Sequence, residues 1–168
     1  MKNNFVFLLS TLLLFLSCYT EDKLLPETQI VIRETLEKMA IENLKSWEPP
    51  FHEDIFLDPF TKSEDLFVVL DGFSVKDYHK WKNVVFESMQ ADRDQKFKLY
   101  KHIVNDINVA VLSLSSGVVT MNYTWDYITK DDLHYNIDAV VTSVFKLEKE
   151  NWEIIHFNVS HGNEKLIQ

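Results

Sequence analysis

Near Asp94 the spacing of apolar residues changes, and that change limits the folds open to this chain. Before it, apolar residues recur at helical spacing: Ile32, Leu36, Met39 with Ala40, Leu44 and Trp47 form one stripe, and Val75, Tyr78, Trp81, Val85 and Met89 a second. Both stripes imply helices with one buried face. After it, the period drops to two. Val119, Met121, Tyr123, Trp125 and Tyr127 alternate with polar neighbours, as do Tyr135, Ile137, Ala139, Val141, Phe145 and Leu147. Alternation of that kind gives strands with one face in the core. Two helices followed by a run of long strands must bury their stripes on one face of a sheet, which defines an α+β domain.

Punctuation supplies the boundaries. The first helix, its start marked by Pro26 and Thr28, carries its apolar stripe over Ile30 to Trp47 and is stopped by Pro49-Pro50. Phe67 to Leu70 reads as a short strand closed by Asp71-Gly72, and the second helix is expected from Ser74, with Asp77 completing a capping box. Lys96 to Val104 places Phe97, Leu99 and Ile103 on the apolar side against Tyr100 and His102, and Ile107 to Leu114 reads as a separate strand. Three further strands follow: Val118 to Ile128, Leu133 to Leu147 and Trp152 to Ser160.

The N-terminus carries a different signal. Lys2 precedes the apolar run Phe5 to Leu16, which is shorter than the roughly 20 residues of a spanning helix and has the make-up of an export-signal core. The run ends at Ser17-Cys18. Cys18 is the only cysteine, so an internal disulfide is excluded. A small residue followed by Cys after an apolar core resembles the bacterial lipobox, in which the thiol is acylated. Phe15 and Leu16 depart from the usual pattern, so an ordinary signal with cleavage near Ser17 or Thr20 stands as the alternative, and an uncleaved anchor as a third. The expected organisation is a signal peptide over 1–17, a lipid-anchored tether over 18–29, a domain over 30–162 and a tail over 163–168. The expected location is the bacterial cell envelope, membrane-bound through the lipid, with a soluble secreted form as the alternative.

Charge and motifs exclude several functions. The formal net charge is −9, with 17 Lys and Arg against 26 Asp and Glu, which argues against nucleic acid as a partner. No glycine-rich phosphate loop and no nucleophile elbow occurs. The six His residues show no metal-ligand spacing. No metal and no cofactor is therefore expected.

The closing segment Trp152-Glu153-Ile154-Ile155-His156-Phe157-Asn158-Val159-Ser160 resembles the last strand of the SnoaL-like branch of the nuclear transport factor 2-like superfamily. Val144 to Asn151 resembles the strand and turn before it, and Glu53-Asp54-Ile55-Phe56 the segment after the first helix. Asn158 stands where relatives often carry a second His. The resemblance implies a cone: a curved antiparallel sheet packed on N-terminal helices, with a pocket at its open end. It also implies either a non-catalytic small-molecule-binding or assembly module, or an isomerase, lyase or hydrolase working by acid–base chemistry. Many such domains form homodimers through the outer sheet face, which here would carry His134, Asn136, Asp138 and Thr142. Polar atoms on the apolar faces are the pocket candidates: Tyr123, Trp125, Tyr135, His156 and Asn158, with Asp54 from the segment after the first helix. Each also suits a packing or turn role. No complete catalytic set can be named from them, and the ligand is an unknown small molecule.

Overall fold

A computed structural model describes residues 24–167. The signal segment and Cys18 lie outside them. Among the described residues no helix is long and apolar enough to cross a membrane.

Helix α1 spans Pro26–Lys45, beginning earlier than the apolar stripe suggests because Pro26 occupies its first turn, where a missing N–H costs nothing. Ile32, Leu36, Ala40 and Leu44 are buried at spacings of four, the geometry of one helix face. The short α2 (Glu53–Leu57) is held to α1 by Asn43, whose amide donates to the Phe56 carbonyl at 2.6 Å.

Strand β1 (Phe67–Leu70) pairs antiparallel with β2 (Phe73–Lys76), where a helix was expected. The cause lies in the turn. Asp71 and Gly72 both have positive φ, 49° and 82°, the geometry of a two-residue hairpin that sends the chain back as a strand. Asp77 is then the N-cap of α3 (Tyr78–Gln95), accepting from the His79 N–H at 2.6 Å rather than closing a capping box.

Four long strands follow: β3 (Leu99–Ser113), β4 (Ser116–Ile128), β5 (His134–Glu148) and β6 (Asn151–His161), then the two-residue β7 (Lys165–Leu166). The sheet order is β2-β1-β6-β5-β4-β3, with β7 also on β5. The sheet is mixed rather than wholly antiparallel, because β6 returns beside β1 running in the same direction. β3 is one strand where two were expected; a register shift between Val104 and Asp106 absorbs the break. Such bulges add twist and bend, which helps the sheet curl.

Partner residues across an antiparallel ladder share a face. Tyr127, Trp125 and Tyr123 of β4 stand opposite Tyr100, His102 and Val104 of β3, so the inner row of β4 draws these three inward. The expected phase of β3 is therefore inverted: Tyr100 and His102 are buried, and Ile103 is exposed. The core lies between the concave sheet face and the helices, centred on Leu36, Phe60, Trp81, Met89, Phe145 and Ile154. At Gly117 the sheet meets α1 so closely that a Cβ would collide with Leu36 Cδ1.

Candidate functional site

The concave face does not fill completely. A cavity of about 170 Å³ remains between α1, α3 and the inner rows of β3 to β6. That is close to the roughly 150 Å³ in which an apolar protein cavity holds a single small ring.

One wall is aromatic. Tyr100 and Trp125 have ring centroids 5.1 Å apart, His102 and Tyr123 5.3 Å, and Trp125 and His161 6.2 Å. Tyr100, His102, Tyr123 and Trp125 come from the paired strands β3 and β4, and His161 joins them from β6, across β5.

Three polar constellations interrupt it. At the mouth, Asp71 in the β1–β2 turn accepts from the His161 backbone N–H at 2.7 Å, and its other oxygen lies 2.9 Å from His161 Nδ1. His161 Nε2 in turn lies 3.2 Å from the Tyr123 hydroxyl. With a carboxylate at Nδ1, the proton sits on Nδ1, and Nε2 is the acceptor that faces Tyr123. Burial would raise the Asp71 carboxyl, but the backbone N–H and ring of His161 outweigh it and hold the carboxyl below its ordinary range. Burial, reinforced by the charge of Asp71, pushes the Tyr123 hydroxyl up, so it remains a proton donor.

Deeper in, His102 is 6% exposed. Burial pushes its pKa down to about 3, so its ring is neutral. Its backbone N–H donates to Glu48 Oε1 at 2.7 Å, and the same oxygen stands 3.8 Å from Nδ1, beyond hydrogen-bond reach. Among the described residues Nδ1 is thus buried without a partner, as are the indole nitrogens of Trp81 and Trp125; all three side chains line this cavity.

On the α3 wall, Asp92 accepts from Trp47 Nε1 and from the Tyr100 hydroxyl, each at 3.0 Å. Both donors use Oδ2, leaving Oδ1 for another partner. Burial raises the Asp92 carboxyl above its usual range, against the pull of these two hydrogen bonds.

Of the residues expected from sequence, Tyr123 and Trp125 line the cavity. Tyr135 stacks on Tyr127 at 5.4 Å and stops short of the lining. His156 and Asn158 sit on the opposite face of β6. The reason is a bulge at Ile155: Val144 pairs with His156 but Phe145 pairs with Ile154, so the alternation slips by one and Phe157, Val159 and His161 turn inward. His156 instead stacks on Phe67 with centroids 5.3 Å apart, its Nδ1 2.9 Å from the Phe67 carbonyl. Asp54 borders a separate depression with Met39, Glu42 and Asp58. Sequence reasoning missed His102, His161, Asp71 and Asp92. Only Asp71 carried a usable signal, the Asp-Gly hairpin turn. Among the described residues no group of three or more His, Cys, Asp or Glu is placed to hold a metal ion.

No protein-family profile matches the sequence, and no curated protein matches it significantly. Solved structures do match the fold. The hexachlorocyclohexane dehydrochlorinase LinA-type3 from Novosphingobium barchaimii aligns at TM-score 0.67 and 11% identity, over 83% of this chain and 92% of its own. A protein from Novosphingobium aromaticivorans, provisionally described as a scytalone dehydratase, aligns at TM-score 0.69 and 12% identity, over 86% and 93%. A nuclear transport factor 2-like superfamily protein from Salmonella enterica aligns at 0.63 and 9%, over 80% and 92%. The domain thus has the nuclear transport factor 2-like cone fold. Within that class the likeness is one of fold, and the chemistry has to be argued from this chain's own cavity.

Proposed function

We propose that this domain binds a small organic molecule in the cone cavity and moves a proton on it, as a lyase or isomerase does. The observation that carries the reading is the chain Asp71–His161–Tyr123, which sets a proton acceptor and a proton donor 3.2 Å apart on one cavity wall.

His161 Nε2 is the base, and Asp71 is a positioning residue that fixes the ring and its tautomer. Tyr123 stays protonated, so when a substrate displaces its contact with Nε2 it can donate to oxygen or another acceptor on which charge develops. A base beside a neutral donor is what removal of a proton next to an acceptor group requires. The aromatic wall and neutral His102 line the cavity inward of this pair, where an apolar body of the substrate can pack. A dehydrochlorinase and a protein described as a dehydratase sharing the fold support this class without fixing the substrate.

The test is deuterium incorporation from D₂O at the α-carbons of cyclohexanone and 4-piperidone, followed by NMR. Exchange above the buffer rate, lost in His161→Asn, supports the reading. Buffer-rate exchange of both ketones with the wild type overturns it.

We further propose that Lys2, the apolar run Phe5 to Leu16 and Ser17-Cys18 export the chain and that Cys18 carries its lipid anchor. Mass spectrometry of protein expressed in a bacterial host reads this directly. A diacylated N-terminal Cys18 supports it, and an unmodified N-terminus beyond Cys18 overturns it.

A further inference from the structure

The cavity has a sign. Among the described residues its lining includes Asp92 and no lysine or arginine. His102, buried deep in it, is neutral and adds no positive charge. Oδ2 of Asp92 is tied to Trp47 and Tyr100, which locks the carboxylate in the wall with Oδ1 uncommitted. Aromatic rings share the lining: Tyr100 lies 5.1 Å from Trp125, and His102 lies 5.3 Å from Tyr123.

A partly desolvated carboxylate among aromatic rings repels anions and gains most from a cation, because attraction strengthens as water is excluded. Ring faces attract the same charge through their quadrupoles. We propose that the cone cavity takes a small organic cation, a quaternary or protonated amine, with Asp92 as its counter-charge and the surrounding indole and phenol rings as its walls. This rests on the reading of the cavity as a small-molecule site but not on proton transfer, since His161 is no part of the cation contact. The chain's formal net charge of −9 also draws cations toward the protein.

The experiment is isothermal titration of the full domain with choline and with 3,3-dimethylbutan-1-ol, its uncharged isostere. Choline should bind at least about tenfold more tightly, a preference worth about 1.4 kcal/mol. Asp92→Asn should erase the preference by weakening choline while leaving the alcohol unchanged. Circular dichroism checks that the variant is folded. If it is not, Trp125→Leu serves in its place and should weaken choline several-fold more than the alcohol. Equal binding of the two ligands, tighter binding of the alcohol, a preference that survives in the folded variant, or no binding of choline overturns the proposal. Repeating the titration with His161→Asn separates the two readings: choline binding retained there, with no proton exchange in the wild type, keeps the cation site and removes the catalytic role.

Discussion

His161 Nδ1 and Asp71 Oδ2 stand 2.9 Å apart although 90 positions separate them in the chain. The parallel pairing of β1 with β6 makes this contact, because it brings the end of β6 alongside the turn that follows β1. The Asp71 N–H also donates to the Val159 carbonyl at 3.0 Å, so the turn is fixed to the strand from both sides.

Asp71→Asn should lower proton exchange by about 10²-fold or more while leaving binding of choline within about twofold, since positioning a base is worth that much when the oriented ring is lost. The measurement is the same α-carbon exchange, set beside titration. Equal loss of both would show that Asp71 shapes the cavity rather than the base.

The pair also predicts a pH effect on stability. The Asp71 carboxyl is held below its ordinary value of 3.8. Its contribution is therefore present above that value and is lost as pH falls through the lower, folded one. The gap in urea midpoint between wild type and Asp71→Asn should be positive near neutral pH and close in acid. Asp71 is half exposed, so the gap should be small.

Asp92 should behave in the opposite sense. Its carboxyl is raised by burial, so ionisation costs the folded state, and stability falls as pH rises through the folded value. Asp92→Asn should melt above the wild type near neutral pH, with the difference vanishing in acid. Thermal melts across pH check both points. A variant that melts lower at every pH would mean that the hydrogen bonds from Trp47 and Tyr100 outweigh the cost of the charge.

His156→Ala should leave proton exchange near the wild-type rate, whereas His161→Ala should abolish it. The two residues differ by five positions but occupy opposite faces of β6, so this comparison tests the bulge at Ile155 through chemistry.

Leu36→Ala should cost about 2–5 kcal/mol, as expected for a fully buried leucine. Gly117→Ala should also destabilise, since its Cβ would collide with Leu36 Cδ1. Combined, the two should cost less than their sum, because the first removes the atom the second strikes. Urea denaturation of the four proteins measures the coupling.

How much of this could be seen in the sequence depends on how local each signal is. The two long helices, strands β4 to β6 and the inward row Tyr123–Trp125–Tyr127 were legible because their periodicity is carried within one segment. The phase of β3 was not: Leu99 and Ile103 are as apolar as anything across from them, and only pairing with Trp125 turns His102 inward. His161 was hidden by one extra residue at Ile155, a feature of the ladder with no mark in composition. Asp92 looked like any charged residue of an amphipathic helix. It belongs to the site because Trp47, in the turn after α1, and Tyr100 of β3 meet it in space.

The hairpin that supplies Asp71 has one further consequence. It is the terminal unit of the sheet, joined to the rest through the four-residue ladder of β1 on β6. Peripheral units of this size open at lower free energy than the body of a domain. Excursions that release β1 and β2 would separate Asp71 from His161 while leaving β3 to β6 assembled. Function should therefore fade at milder denaturant or temperature than the global transition, and hydrogen exchange should find Val68 and Val69 less protected than Val119 and Val141.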